Sequence, residues 1–154
     1  MPKIDIDSLP MMSGTRYPPP HDAPVKDRQW RALSAPENLT QFGVNLLTLK
    51  PGVWSSQRHW HSHEDEFVYV VSGHPTLVDD AGPQVLSPGD ACAFKAGDQN
   101  GHNFKNETAE DVVLLVVGSR SDEDHSGYSD IDMLFLAGRY SGGGGFSKKD
   151  GTSF

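Results

Sequence analysis

Apolar residues fall in short runs of period two along this chain, cut by glycine and proline every 8–12 residues. That pattern predicts strands. The stretch TQFGVNLLTLKPG (40–52) reads as a strand ending at a Pro-Gly turn. VWSSQRHWH (53–61) alternates as a second strand, with Ser55, Gln57, His59 and His61 on one face and Trp54, Arg58 and Trp60 on the other. EFVYVVSG (66–73) is rich in β-branched and aromatic residues and reads as a core strand. HPTLVDDAGPQVLSPGD (74–90) reads as two short strands joined by a turn at Asp79 to Gly82. ACAFKAG is a further strand, and HNFKNET opens the next. DVVLLVVGSR (111–120) is apolar on both faces, as expected of a central buried strand. GYSDIDMLF (127–135) reads as a late edge strand.

This gives about eight short strands and almost no helix signal. The expected architecture is an all-β sandwich or small barrel. Six prolines within residues 1–29 predict an extended arm lying over the body or over a partner. DRQWRALSAP (27–36) fits either a helical turn or part of a strand. SGGGGFSKKDGTSF (141–154) reads as a flexible tail by its glycines. There is no internal repeat, and 154 residues suit a single domain with one core.

Charge narrows the partners. Against 13 Lys and Arg stand 21 Asp and Glu, a formal net charge of −8. Nucleic acid and anionic membrane surfaces are therefore not expected partners, since both need a basic face. No apolar run approaches the roughly 20 residues of a membrane-spanning helix. MPKIDIDSLP lacks the apolar core of a secretory signal. Cys92 is the single cysteine, which excludes an internal disulfide and a thiolate-built metal site, and suits a reducing, cytoplasmic setting.

The chemistry concentrates in HWHSHEDEF (59–67), with three histidines and three carboxylates in nine residues. Placed at the mouth of a core strand, so many ligand atoms suggest a metal. The surrounding spacing resembles the two motifs of the cupin family. The first is Gly52, six residues, His59-Trp60-His61, four residues, Glu66, six residues and Gly73; the family pattern has five residues in the first gap. The second is Gly89, five residues, Lys95-Ala96-Gly97, four residues, His102, three residues and Asn106. Lys95 stands where the family has proline, and the gap before His102 is two residues longer. The resemblance covers roughly residues 42–118 and is closer still to small single-domain bacterial cupins loosely labelled sugar-phosphate isomerases.

The resemblance implies one cupin-type jelly-roll domain, with a barrel core over about 42–118, an extended arm over 1–33 and a flexible tail over 139–154. It also implies a homodimer, with the arm reaching the partner. It implies one divalent metal held by His59, His61, Glu66 and His102. The residues agree with this. A His-x-His pair in a strand puts both imidazoles on one face. Glu66 has the wrong parity to continue that strand, so the break must turn the chain and bring the carboxylate in from the next one. Three imidazoles and one carboxylate suit Fe, Mn, Ni, Co or Zn and leave positions open for a small-molecule substrate.

Around these four, His63 offers a shifted His61–His63 pair that the family spacing disfavours. Glu64 and Asp65 read as solvated turn carboxylates, with a hydrogen bond to an imidazole N–H as the alternative. Gln57 and Lys95 are the candidate substrate-binding residues: Gln57 shares the ligand face, and Lys95 would attract an anion. Ser55 also shares the ligand face, and Asn45 and Phe42 have less support. Asn106 reads as a backbone-fixing residue. Arg28, Arg58 and Lys95 are the cations available to a locally basic cavity. Three activities fit: a metal-dependent isomerase or lyase acting on a sugar or sugar acid, an Fe(II) dioxygenase, and a non-enzymatic module that binds a small ligand.

Overall fold

The computed structural model describes residues 3–154. Thirteen strands pair in three sheets, and every pairing is antiparallel. The largest sheet runs β1 (Met12–Ser13), β2 (Gln29–Ala32), β3 (Phe42–Leu49), β10 (Val112–Ser119), β5 (Glu66–Ser72) and β8 (Ala91–Phe94) in spatial order. A three-stranded sheet orders β7 (Gly82–Val85), β6 (Thr76–Asp79) and β9 (Asn103–Lys105). A four-stranded sheet orders β13 (Phe146–Ser147), β12 (Leu134–Phe135), β11 (Ser126–Tyr128) and β4 (His59–His61). The expected all-β jelly-roll architecture is what forms. No helix among the described residues is long and apolar enough to cross a membrane.

The alternation in β5 sets the layers. Val68 and Val70 are 1% exposed, whereas Phe67, Tyr69 and Val71 on the opposite face are 39–45% exposed. The inward face joins Leu47, Leu49, Val112 and Leu114 on the large sheet with Leu77, Leu86 and Phe104 across from it, forming the main core. β10 lies between β3 and β5, the central position its apolar composition predicts. A second cluster, Tyr128, Met133 and Phe135, is packed by Tyr17, Ile131 and Phe146.

Four expectations change. The described part of the arm, residues 3–33, lies over the body, one of the two placements expected, but as turns and paired strands and not as one extended segment. β2 covers the edge of β3, with Trp30 opposite Leu47, and β1 covers β2. An open strand edge is a row of unpaired backbone groups, and QWRA satisfies it between the proline turns. Val25, fully buried, anchors the turn run that precedes β2. The stretch 53–58 is not strand. Only Trp54 in it forms an isolated bridge, to Lys105, and Ser55 to Arg58 make no strand ladder. Ser55 Oγ accepts from Phe104 N–H instead, a side-chain bond that competes with a ladder. The late edge strand divides into β11 and β12, and β11 is interior, between β12 and β4. The glycine-rich tail is docked. β13 pairs with β12, Phe146 packs against Phe135 at 5.0 Å between ring centroids, and Ser147 is buried.

Candidate functional site

β4 is three residues long and is held from both sides. On one side it pairs with β11, Ser126 opposite His61 and Tyr128 opposite His59. On the other, an isolated bridge sets His59 against His102. The His-x-His spacing sends the two β4 imidazoles the same way, with ring centroids 5.0 Å apart, and the bridge brings the His102 ring to 5.1 Å from that of His59. Residues 62–65 reverse the chain, and Glu66 opens β5 with its carboxylate toward the three rings.

Glu66 Oε2 lies 3.5 Å from His102 Nε2, 3.8 Å from His61 Nε2 and 4.0 Å from His59 Nε2. Ligands 2.0–2.2 Å from one ion stand about 3–3.5 Å apart. The His102 separation lies within that span, and the other two are wider by a few tenths of an ångström. The four side chains predicted to come together do so.

The ring tautomers follow from the partners. His59 Nδ1 is 2.9 Å from the Gln57 carbonyl oxygen, which only accepts, so Nδ1 carries the proton and Nε2 presents a lone pair. His61 Nδ1 donates to Asp124 Oδ2 at 2.8 Å, with the same result. His102 is 2% exposed and stacks on Phe94 at 3.4 Å with an interplanar angle of 4°, yet neither ring nitrogen has a hydrogen-bond partner. A buried imidazole without partners is costly. An electrophile among the four donors would satisfy its Nε2.

Charge states favour the same use. Burial drives the His59 pKa down, helped by the imidazoles of His61 and His102 and opposed by Glu66, to about 3. Burial pushes Glu66 up, but the His102, His59 and His61 rings outweigh it and hold the carboxyl at about 2. Burial disfavours a proton on His61, but its bond to Asp124 and the nearby Glu66 charge raise its pKa above the ordinary imidazole value. At neutral pH His59 is uncharged and Glu66 ionised, the forms that ligate metals.

Around the four donors lies a second ring of acids. Asp124 is fully buried and also accepts from His63 N–H at 2.8 Å and Ser62 Oγ at 3.3 Å. Glu64 is not a solvated turn carboxylate. It is 6% exposed, accepts from the Tyr140 hydroxyl at 2.7 Å and from Ser121 N–H at 3.0 Å, and lies 3.7 Å from His61 Nδ1. The segment after β10 folds back over the turn and shields it. Asp65 stays exposed and accepts from Ala96 N–H at 2.8 Å. His63 is exposed beside Glu123, so the shifted His61–His63 pair does not form. Asp124 was invisible in the sequence because nothing in SDEDHSG distinguishes one acid from its neighbours.

Of the recesses that border the cluster, two adjoin each other. One, of about 210 Å³, is lined by Asn45, Leu47, Ser55, His102 and Phe104 among others. The second, of about 190 Å³, lies toward β11 and shares Arg28, Ser56 and His59 with the first. Ser55 and Asn45 therefore reach the cavity as expected. Gln57 lines neither compartment; its Nε2 donates to the His21 carbonyl at 2.8 Å and ties down the N-terminal segment. Lys95 is exposed and lines a third, smaller recess with Trp60, Asp98 and Asn100, next to His102. Arg58 is paired with Asp80 and Asp130 and adds no free charge.

A cupin domain model matches residues 45–118. A crystal structure from Silicibacter pomeroyi, named a sugar phosphate isomerase from a cupin superfamily, is 43% identical, covers 99% of this chain and 96% of its own, and superposes with a TM-score of 0.93. A putative sugar phosphate isomerase from Acidithiobacillus ferrooxidans is 29% identical over 79% of this chain and 76% of its own, with a TM-score of 0.73. The polyketide cyclase RemF from Streptomyces resistomycificus shares the fold at 22% identity over 77% of this chain and 79% of its own, with a TM-score of 0.62. No curated protein matches the chain.

Proposed function

The chain belongs to the cupin superfamily, and within it we propose a divalent-metal-dependent enzyme that isomerises or cleaves a small polar molecule, a sugar or sugar acid. The observation that carries this reading is the convergence of three imidazole Nε2 atoms within 4.0 Å of one Glu66 oxygen, with both His102 ring nitrogens otherwise unpartnered. The names of the two more similar structures, both sugar phosphate isomerases, support the substrate class.

His59, His61, Glu66 and His102 would hold the ion. Fe, Mn, Ni, Co and Zn all accept this donor set. Such an ion supplies Lewis acidity to a hydroxyl–carbonyl pair of the substrate. The chain's own residues prepare the site. The Gln57 carbonyl and Asp124 keep the protons of His59 and His61 on Nδ1, away from the cavity. Leu47, Phe104 and Val116 make one wall apolar and exclude water, while Asn45, Ser55 and Ser56 offer neutral partners to substrate hydroxyls.

The reading extends to a homodimer in the cytoplasm. The exposed strip Phe67, Tyr69 and Val71 on β5 supports self-association, and the free Cys92 suits a reducing setting.

The test is elemental analysis of protein purified without a metal-affinity tag, beside a His59→Ala/His102→Ala variant. Zinc, manganese, nickel or cobalt near one per chain, lost in the variant, is the expected result and directs assays to sugar phosphates and sugar acids. Iron would favour the dioxygenase alternative and oxygen-uptake assays. No metal, and none taken up on reconstitution, would leave a binding module.

A further inference from the structure

We propose that the compartment between β4, β11 and the two chain ends is an oxyanion pocket, in which Arg16, Arg28 and Arg139 hold the phosphate or carboxylate group of the substrate. The inference rests on the metal-centre reading for its second half, the position of that group beside the ion; the pocket itself stands on separate residues.

Three arginines line this compartment, together with His59 and His61. In a chain of net charge −8, none of the three has a carboxylate within ion-pair distance among the described residues. Other cations do find acids: Arg31 pairs with Asp7, Lys50 with Asp111, and Arg58 with two aspartates. Grouping like charges around a cavity while acids are plentiful is unfavourable unless an anion offsets them.

Hydrogen bonds hold two of the guanidinium groups, and a ring contact places the third. Arg28 Nε donates to the Gly14 carbonyl at 3.1 Å and its Nη1 to the Ser55 carbonyl at 2.7 Å, which leaves the rest of its five donors for the two compartments it borders. Arg16 and Arg139 both lie over the Phe135 ring, 5.1 and 4.6 Å from its centroid. Arg139 donates from Nη2 to Ser126 Oγ at 3.3 Å, while its Nε is buried without a partner. A buried guanidinium with an unsatisfied N–H is costly, and the planar fork of Arg139, which borders the compartment, matches phosphate and carboxylate oxygens.

Tyr17 and Tyr128 complete the wall, edge to face at 5.7 Å. The lining offers an oxyanion the three arginines and no carboxylate. The anion's carbon skeleton would extend past His59 toward the first compartment, which shares that residue.

The origin of these residues matters. Arg16 and Tyr17 precede the matched domain and Arg139 follows it. The docked N-terminal segment and tail thus do more than cover strand edges: they add a positively charged pocket to a generic barrel. The ligand class is a small hydroxy or keto compound bearing a phosphate or a carboxylate.

The experiment is isothermal titration calorimetry of full-length protein with inorganic phosphate and, separately, malonate, on metal-free and metal-loaded samples. The proteins are wild type, Arg16→Gln, Arg16→Gln/Arg139→Gln, and Arg31→Gln as a control outside the pocket. Binding of either anion to metal-free protein is expected, weakened tenfold or more in the double variant and unchanged in Arg31→Gln. Phosphate preference would identify a phosphorylated substrate, malonate preference an acid. Arg16 is exposed, so its single variant reports even if the double variant misfolds, which circular dichroism would reveal. No binding of either anion, or binding indifferent to the arginines, overturns the pocket. A failure to take up metal sinks the metal centre but leaves anion binding to metal-free protein intact, so the two ideas fail separately.

Discussion

His61 Nδ1 donates to a fully buried Asp124 at 2.8 Å, across 63 positions of sequence. The bond ties β4 to the loop that leads into β11. It also fixes the proton on the nitrogen that faces away from Glu66. Asp124 is itself held by His63 N–H and by the Ser62 hydroxyl, so the carboxylate cannot swing away. It is a positioning residue: it touches a ligand side chain and orients it.

Replacing Asp124 should therefore weaken metal binding without removing a ligand. Losing such a partner costs about 10–100-fold in affinity. The Asp124→Asn variant has a distinctive pH signature. In the parent, Asp124 helps raise the His61 pKa, so a proton competes with the metal and apparent affinity climbs with pH until that pKa is passed. With asparagine the His61 pKa falls, and the climb should end at lower pH. The affinity deficit should thus be smaller in acid than on the alkaline plateau. Competition titrations with a chromophoric chelator at several pH values would measure it; a deficit equal at all pH values contradicts the role.

Asn106 makes the opposite prediction. It is 1% exposed; its Nδ2 donates to the Leu49 and Glu110 carbonyls at 2.8 and 2.7 Å, and its Oδ1 accepts from Thr108 N–H at 3.0 Å and Oγ1 at 2.7 Å. All four bonds stay within the loop before β10 and the end of β3. Asn106→Ala should cost about 2 kcal/mol or more through unsatisfied buried groups. Metal content at a permissive temperature should be unchanged. Urea unfolding and elemental analysis on one preparation separate the two.

How much of this was readable beforehand depends on the range of each interaction. The strands from β5 to β10 could be located because alternation and turn residues are local signals, and the two glycine-spaced motifs marked His59, His61, Glu66 and His102. Ser55 to Gln57 failed because alternation cannot register a side-chain hydroxyl that captures a backbone N–H forty-nine positions away. The strand pairing at the two ends was missed because proline and glycine content reports what a segment cannot form alone. Trp30 opposite Leu47, and Phe146 against Phe135, are contacts that only the folded body offers. Asp124 and the three pocket arginines carry no spacing signal, since their relation to the imidazoles exists only in three dimensions.

Gly127 lies opposite Trp60 in the β11–β4 pair, and a Cβ there would overlap the indole. Trp60 sits between the two β4 histidines, so the contact sets the height of the strand that carries them. Gly127→Ala should destabilise by about 1–3 kcal/mol. Trimming the indole in Trp60→Leu/Gly127→Ala should recover part of the loss, giving a coupling energy that calorimetric unfolding would detect. Strictly additive losses would contradict the close approach.

The exposed strip on β5 predicts self-association. Phe67, Tyr69 and Val71 are each about two-fifths exposed, a contiguous apolar row unusual for a free surface. Sedimentation equilibrium should give a dimer for the parent. Phe67→Glu/Tyr69→Glu should shift it to monomer with metal content preserved, because both side chains point away from Glu66's side of the sheet. A monomeric parent at tens of micromolar contradicts the assignment.

Metal removal should soften the whole fold. The four donors come from β4, the start of β5 and the residue before β9, strands that belong to three different sheets. An ion among them links those sheets, and its binding energy adds to stability. With free metal at a hundredfold excess over Kd the gain is about 2.7 kcal/mol. For a chain of this size that corresponds to roughly 5–10 °C in melting temperature. Chelation should lower the melting temperature by about that amount, and readdition should restore it. His102→Ala should melt near the chelated parent and show no response to metal. If instead the parent ignores chelator while the purified protein holds stoichiometric metal, the ion lies somewhere other than between these strands.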